Sequence, residues 1–200
     1  MCANISHSYE YGYTAGKLAA DWLNTNCSAS QTVACALLTK PQSLAVIDRA
    51  NGIIEGLREN CTFAQIVATK PYSDQASARE MTEQMMREHP KIRCIVGVSD
   101  MSILGAYDAL EAMNLLNEEM CLVGIDASAP VLKKIQDGAV IRDSVSQDTK
   151  GFAEVTIHAA IAAIQGNPLP ESSIKIEAVT MENVAAYLQA EAASHSTPAS

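Results

Sequence analysis

Two carboxylates stand at the ends of short apolar segments, where a side chain is well placed to bind a ligand or to transfer protons. Ser99 and Asp100 follow the segment Ile92–Val98, and Asp126 follows the segment Cys121–Ile125. Such carboxylates can accept hydrogen bonds from ligand hydroxyl groups, or two of them can act as an acid and a base in a reaction. The spacing gives no support for a separation suited to catalysis, so the residues favour binding.

Each carboxylate also has a purely structural interpretation. Aspartate at a strand-to-helix junction is a favoured N-cap, worth about 1 kcal/mol, and Asp100 is followed at once by a helical pattern. Capping is therefore the favoured structural role for Asp100. The next helix has a better start at Ser128, with Pro130 in its first turn, which leaves Asp126 free to point into a cleft. Gln147 precedes the next predicted helix by several residues, so capping does not explain it well.

The sequence contains no motif of a common catalytic, nucleotide-binding or metal site. There is no P-loop, GxGxxG, HExxH or GxSxG, and the four scattered histidines suggest no catalytic set. None of the six cysteines forms a CxxC pair, and Cys35, Cys94 and Cys121 lie within apolar segments. We expect these three to be buried small hydrophobic residues, and we expect neither a metal nor a cofactor.

The charge of the chain argues against nucleic acid as a partner. The 200 residues include 14 basic and 23 acidic side chains, for a net charge of −9, without a basic cluster. Phosphate binding requires a basic face. No apolar segment approaches the ~20 residues that span a bilayer, and Met1–Ile5 does not resemble a signal peptide.

Seven apolar segments predict strands that are covered on both faces, because they are nearly continuous and do not alternate with polar residues. They are Cys2–Ser6, Thr32–Leu38, Phe63–Ala68, Ile92–Val98, Cys121–Ile125, Val140–Val145 and Ile174–Val179. Apolar residues at helical spacing fill the intervals between them. This alternation predicts an α/β protein with a parallel, doubly wound, flavodoxin-like sheet flanked by helices.

In an open parallel sheet, ligands bind beyond the carboxyl ends of the strands. We therefore expect one row of polar residues to line a single edge of the sheet. Its members are Lys40, Lys70, Tyr72, Ser99, Asp100, Asp126, Gln147 and Asp148.

The segment 151–164 differs from the other helical segments, because it is apolar nearly all round from Val155 onward. Such a helix is buried on more than one side. It is expected to form an oligomer interface or to pack on structure outside this chain. Residues 190–200 are small and polar, and they predict a disordered tail.

Six segments in a fixed order carry a family resemblance over residues 1–189. They are Gly12–Ala20, Asp48–Gly52, Ser99–Ala106, Val123–Asp126, Ile135–Gly138 with Ser144–Asp148, and Val179–Val184. Together they resemble the sugar-type, ribose-binding-like (type I) periplasmic solute-binding proteins of ABC transporters. This group shares its fold with the effector domains of lac-repressor-like regulators.

The resemblance implies two similar α/β lobes with a ligand clamped between them. Residues 3–147 would form the C-terminal lobe, and residues 148–189 would form a recrossing helix, a strand and a terminal helix that pack partly on an N-terminal lobe. The resemblance also implies a sugar or sugar-like ligand, an ABC permease as partner, and a periplasmic or lipid-anchored extracellular location. An exposed helix 151–164 would then favour a homodimer.

The resemblance also assigns roles to individual residues. Asp126 matches an aspartate that accepts hydrogen bonds from adjacent sugar hydroxyls, and Gln147 matches a cleft glutamine at the hinge. Ser99 stands where ribose binders usually carry asparagine, and Tyr72 lies near the position of a stacking aromatic. The predicted ligand-binding set is completed by Asp100.

One departure from the family pattern concerns the ligand. The ligand-binding arginine of ribose binders falls at Ile47, two residues before Arg49, which matches a mostly structural arginine. Because isoleucine cannot replace a bidentate donor, ribose itself is in doubt and the ligand is left open.

Two other functions remain open from the sequence. A regulator's effector domain would bind a metabolite to control DNA affinity, although Val179–Val184 is more similar to the close of the transporter proteins. An α/β enzyme, such as an isomerase that uses Asp100 and Asp126, would turn over a sugar phosphate.

Overall fold

Strands and helices alternate along the chain in the computed structural model, which describes residues 7–168 and 175–195. The strands are β1 Val33–Thr39, β2 Ala64–Pro71, β3 Ile92–Gly97, β4 Cys121–Ile125, β5 Ile141–Gln147 and β6 Ile176–Val179. The helices are α1 Ser8–Asn26, α2 Leu44–Asn60, α3 Gln75–Glu88, α4 Asp100–Ala112, α5 Ala129–Gln136, α6 Thr149–Gln165 and α7 Val184–His195. Six predicted strands are thereby confirmed, whereas the predicted strand Cys2–Ser6 lies outside the described residues.

The six strands form one sheet in the order β2-β1-β3-β4-β5-β6. The pairings from β2 to β5 are all parallel, which confirms the doubly wound α/β prediction. On the helical layers, α1 packs on α2, α3 packs on α4, and α5 packs on α7. The carboxyl ends of the five parallel strands therefore meet at one edge of the sheet.

The last strand corrects the expectation that every strand runs the same way. β6 pairs antiparallel with β5. A parallel return requires the connecting helix to pack back on the sheet, but α6 makes no extensive contact with any other element among the described residues. Because α6 does not pack back on the sheet, the chain comes back along β5 in the opposite direction.

The central strands β1, β3 and β4 form the core, as their nearly continuous apolar sequences predict. The edge strand β2 is not covered on both faces as predicted, because only Ala68 of its eight residues is buried. All five residues of β4 are buried, and Cys35, Cys94 and Cys121 are 0 % exposed. These cysteines lie in register on β1, β3 and β4, and they are free thiols. The prediction that they are buried small residues is confirmed.

Helices α1 and α2 approach each other unusually closely. A Cβ atom at Gly12 would lie 1.9 Å from the backbone carbonyl oxygen of Arg49. Any side chain at Gly12 would therefore push α2 away from α1, since real contacts are never so short. The contact fixes the segment of α2 that carries Arg49.

The apolar helix predicted at 151–164 is present as α6, and three of its isoleucine side chains are exposed. Ile157, Ile161 and Ile164 are 58 %, 46 % and 86 % exposed. The disordered tail predicted for 190–200 is wrong for its first part, because α7 continues to His195. Residues 196–200 lie outside the described residues. Within 7–168 and 175–195, none of the helices has both the length and the apolar composition needed to cross a lipid bilayer.

Candidate functional site

A cavity of about 210 Å³ lies at the carboxyl edge of β1, β2, β3 and β4. Three of the predicted site residues, Tyr72, Ser99 and Asp126, line it, and Gln147 reaches it through Asp126. The whole lining is Lys40, Val46, Arg49, Tyr72, Val98, Ser99, Met101 and Asp126. The structure thus brings together four of the five residues that the sequence predicted.

A larger cavity, of about 650 Å³, lies at the opposite edge of the sheet, where β1, β2 and β3 begin. Its arginine, Arg93, is already paired, because Nε donates to the carbonyl oxygen of Glu119 at 2.8 Å and Nη1 lies 3.4 Å from the Glu119 carboxylate. Ligands of open α/β sheets bind at the carboxyl edge. We therefore place the candidate site in the smaller cavity.

Tyr72 and Ser99 form one wall of this cavity. The hydroxyl groups of the two side chains are hydrogen-bonded at 2.7 Å, and Tyr72 is only 4 % exposed. Burial raises the pKa of the Tyr72 phenol, and the bond to Ser99 opposes this shift. The ammonium group of Lys40 lies 5.8 Å from the ring centroid. Tyr72 is thus a buried wall residue in this structure, whereas the resemblance implies an aromatic ring that stacks on the ligand.

Asp126 lines the same cavity and carries Gln147 as a hydrogen-bond partner. The amide Nε2 of Gln147 donates a hydrogen bond to Oδ1 of Asp126, whose side chain is 37 % exposed. Nη1 of Arg49 lies 3.8 Å from the same oxygen and donates to the carbonyl oxygen of Val98 at 2.8 Å. Partial burial raises the pKa of Asp126, while the charge of Arg49 opposes the rise. Arg49 therefore contributes a cation to the site, which the mostly structural role assigned to it did not include.

Asp100 does not line the cavity, and both roles predicted for it are corrected. Ser99, not Asp100, is the N-cap residue of α4, and Asp100 is only 2 % exposed. Its carboxylate accepts hydrogen bonds from the backbone N–H and hydroxyl of Ser128 and from the hydroxyl of Ser144. Burial raises the pKa of Asp100 to about 7 despite these bonds. A carboxylate enclosed in this way cannot contact a ligand or act as an acid–base partner of Asp126.

The turn after β4 has an unusual backbone. Asp126 and Ala127 have φ angles of 128° and 49°, a region that residues other than glycine rarely adopt. Ser128 then begins α5 as its N-cap residue, as the sequence predicts, although its hydroxyl bonds to Asp100 and does not cap the helix. Strained residues of this kind persist only where the surrounding structure holds them in place.

Four residues of the lining belong neither to the predicted ligand-binding set nor to the predicted polar row: Val46, Arg49, Val98 and Met101. Val46 and Met101 lie near the starts of α2 and α4, and they add apolar surface to the cavity. Only their positions could have indicated them in the sequence, since each comes after a strand that ends at the cavity. Ser144 was also missed, because a serine within a strand looks like an ordinary polar break in an apolar sequence. Ile47 is on α2 and 37 % exposed, and it does not line the cavity.

Metal binding finds no support in the part of the chain that the structure describes. Within 7–168 and 175–195, no group of three or more histidine, cysteine, aspartate or glutamate side chains could hold a metal ion. The residues that line the cavity offer hydrogen-bond donors and acceptors beside a small apolar surface.

Comparison with known proteins identifies relatives of this architecture. The family model described as "Periplasmic binding protein domain" matches residues 4–168. A solute-binding protein from Bacillus halodurans C-125 with bound myo-inositol is 26 % identical, with a TM-score of 0.79 over 91 % of this chain and 61 % of its own. The comparison with functionally curated proteins gives no match.

Two further structures show the same fold at lower identity. A solute-binding protein from Actinobacillus succinogenes 130z with bound D-allose is 20 % identical, with a TM-score of 0.80 over 90 % of this chain and 62 % of its own. A protein from Mycobacterium smegmatis in complex with β-D-fucofuranose is 23 % identical, with a TM-score of 0.81 over 94 % and 62 %. The chain therefore spans about three fifths of the length of these structures. The family match and the 26 % identical solute-binding protein do not favour the regulator interpretation.

Proposed function

We propose, since the chain belongs to the periplasmic binding protein domain family, that it is the carbohydrate-binding part of an ABC-type importer. It would hold a sugar or a sugar-like solute without changing it chemically. The observation that carries the proposal is the cavity at the carboxyl edge, where Asp126, with its partners Gln147 and Arg49, lies beside the Tyr72–Ser99 pair. The solved relatives named above hold an inositol, an allose and a fucofuranose.

The polar groups of the cavity suit a molecule with several hydroxyl groups. Asp126 can accept hydrogen bonds, Arg49 and Lys40 can donate them, and the hydroxyl of Ser99 can do both. Val46 and Met101 offer apolar surface to the C–H face of a ring. Because Arg49 offsets the charge of Asp126 at 3.8 Å, a neutral hydroxylated ligand fits this set.

The cavity is small and open to one side, which supports the proposal that another part of the protein completes the site. About 210 Å³ is below the roughly 300–1,000 Å³ of most ligand pockets, which bury most of the ligand surface. We propose that residues 3–147 act as one lobe and that a further α/β lobe closes on the ligand from the open side. Residues 148–189, including α6, would pack partly on that lobe.

The proposal has consequences for location and partners. An importer's binding protein works outside the cytoplasmic membrane, so we propose a periplasmic or lipid-anchored extracellular location and an ABC permease as partner. The exposed apolar face of α6 would pair with a second copy of the chain wherever no other lobe covers it.

The test is a binding screen of this chain with neutral monosaccharides and myo-inositol by ligand-observed NMR, followed by calorimetry. One lobe gives only part of the contacts, so we expect millimolar affinity and no product. Asp126→Asn should weaken binding about tenfold, because a charge-assisted acceptor is lost. Asp137→Asn, an exposed residue at the far end of α5, is the matched control and should bind as the parent does.

Two results would contradict the proposal. One is the lack of any binding in the panel at tens of millimolar sugar. The other is conversion of a sugar or a sugar phosphate to a new product, which would restore the enzyme interpretation.

A further inference from the structure

We infer that Asp100 is a positioning residue of the proposed sugar site, because its buried carboxylate holds the turn at Asp126 and Ala127 and so aims Asp126 at the cavity. The inference rests on the proposed function and deepens it. Asp100 itself is 2 % exposed and cannot touch the ligand.

The turn is held by three consecutive backbone N–H groups. That of Asp126 donates to the carbonyl oxygen of Val145 at 2.8 Å, and that of Ala127 donates to Oγ of Ser144 at 3.0 Å. The N–H of Ser128 donates to Oδ2 of Asp100 at 2.6 Å. Every amide of the turn thus has a fixed partner on β5 or α4.

Asp100 joins the two ends of this arrangement. Oδ1 accepts a hydrogen bond from the Ser144 hydroxyl at 2.7 Å, and Oδ2 also accepts one from the Ser128 hydroxyl at 2.8 Å. The Ser144 hydroxyl therefore accepts a hydrogen bond from the N–H of Ala127 and donates one to Asp100. A single buried carboxylate orients both serines, and through them it holds the backbone that presents Asp126.

The strand beside the carboxylate is shaped to receive it. A Cβ atom at Gly124 would lie 2.2 Å from Oδ1 of Asp100, so glycine provides the space that the carboxylate occupies. The sequence pattern of a Ser–Asp pair after β3 and a Gly-Ile-Asp end of β4 is explained by this contact. Gly124 thus makes room for the Asp100 carboxylate, and this carboxylate holds the turn that positions Asp126.

The hydrogen bonds to the Asp100 carboxylate are needed because the turn is strained. With φ angles of 128° and 49°, Asp126 and Ala127 would relax toward negative φ if the hydrogen bonds were lost. Relaxation would rotate the Asp126 carboxylate away from Arg49 and Gln147. A buried carboxylate is costly to keep, and here it is retained beside the site.

The experiment compares three variants of this chain with the parent. Asp100→Asn keeps the shape but directs an amide group at the hydroxyl and N–H donors. Asp100→Asn/Ala127→Gly adds a residue that adopts positive φ without strain. Leu110→Ala is the control for lost stability, since Leu110 is fully buried in the same helix and ~15 Å along its axis from Asp100.

Two quantities are measured: the affinity for the best sugar of the panel, and hydrogen exchange of the backbone amides. Asp100→Asn should weaken binding about tenfold, the effect of one buried donor left unpaired. It should also speed exchange at Ala127 and Ser128. The added glycine should recover at least about threefold of the affinity, because it restores the turn without the carboxylate. Leu110→Ala should melt at a lower temperature and bind as the parent does.

The outcomes separate the two proposals. If the parent binds sugar and Asp100→Asn binds it equally well, the positioning role is refuted while the sugar-binding function stands. The same holds if Leu110→Ala weakens binding as much as Asp100→Asn does. If the parent binds no sugar, the proposed function fails, and hydrogen exchange still decides the role of Asp100 in the turn. Unchanged exchange at Ala127 and Ser128 in Asp100→Asn refutes it, and faster exchange confined to those amides supports it.

Discussion

Replacing Gly124 by alanine tests how tightly β4 and Asp100 fit together. The added Cβ would lie 2.2 Å from Oδ1 of Asp100, whereas ordinary contacts are 3.4–4 Å, so the carboxylate must move by about 1 Å. Overpacking in a core costs about 1–3 kcal/mol, and loosening the hydrogen bonds to the two serines costs about as much again. We expect Gly124→Ala to lower the free energy of unfolding by about 2–4 kcal/mol, since such terms overlap.

Urea denaturation followed by circular dichroism measures this change, and thermal melting checks it. In a chain of this size each kcal/mol shifts the Tm by about 2–4 °C, so the Tm should fall by about 4–16 °C. A double-mutant cycle isolates the contact: Asp100→Ser should cost at least about 1 kcal/mol less in the Gly124→Ala background than in the parent. An unfolding free energy within about 0.5 kcal/mol of the parent, or strictly additive effects, would refute the reasoning.

Three other predictions concern the site, the pH dependence and the exposed helix. Arg49→Met should weaken sugar binding, and it should lower the free energy of unfolding by about 1–3 kcal/mol because the carbonyl oxygen of Val98 loses its donor. Calorimetry measures the first effect and urea denaturation the second. An unchanged affinity would show that Arg49 is not part of the site. Burial raises the pKa of Asp143 to about 7 from 3.8, so the folded state binds more protons than the unfolded state between these values, and stability should fall as pH rises from about 5 to 7. Asp143→Asn should flatten that slope by up to about 1.4 kcal/mol per pH unit in urea titrations, and an unchanged slope would show that the carboxyl titrates normally. Ile161→Asp should reduce self-association in light scattering and sedimentation, because it places a charge on the exposed apolar face of α6; identical association of both proteins would exclude this face.

The sequence predicted the sheet well because its central strands are buried on both faces. Such strands show as continuous apolar segments, and β4 begins and ends as predicted. The direction of β6 could not be predicted, because it depends on whether α6 packs on the sheet. That choice depends on what α6 contacts, not on the composition of the strand.

The candidate site was predicted less completely than the fold. Asp100 and Asp126 look alike in sequence, since each follows a short apolar segment, yet one is enclosed and the other faces the cavity. Their difference arises from Ser128 and Ser144, which are distant in the chain and meet only in the folded sheet. Likewise, Tyr72 packs in the apolar core and bonds to Ser99, which is 27 residues away in the chain, and no spacing rule contains that contact.

The close contact of α1 with α2 limits how this molecule can move. With the Gly12 backbone against the carbonyl of Arg49, the two helices have no room to shift toward each other, and we expect them to move as one block. Arg49 and its partner Asp126 are carried by that block and the adjoining sheet. In the proposed sugar-binding function, opening and closing around the solute would be taken up by segments beyond this block, and the recognition surface would reach its ligand already assembled.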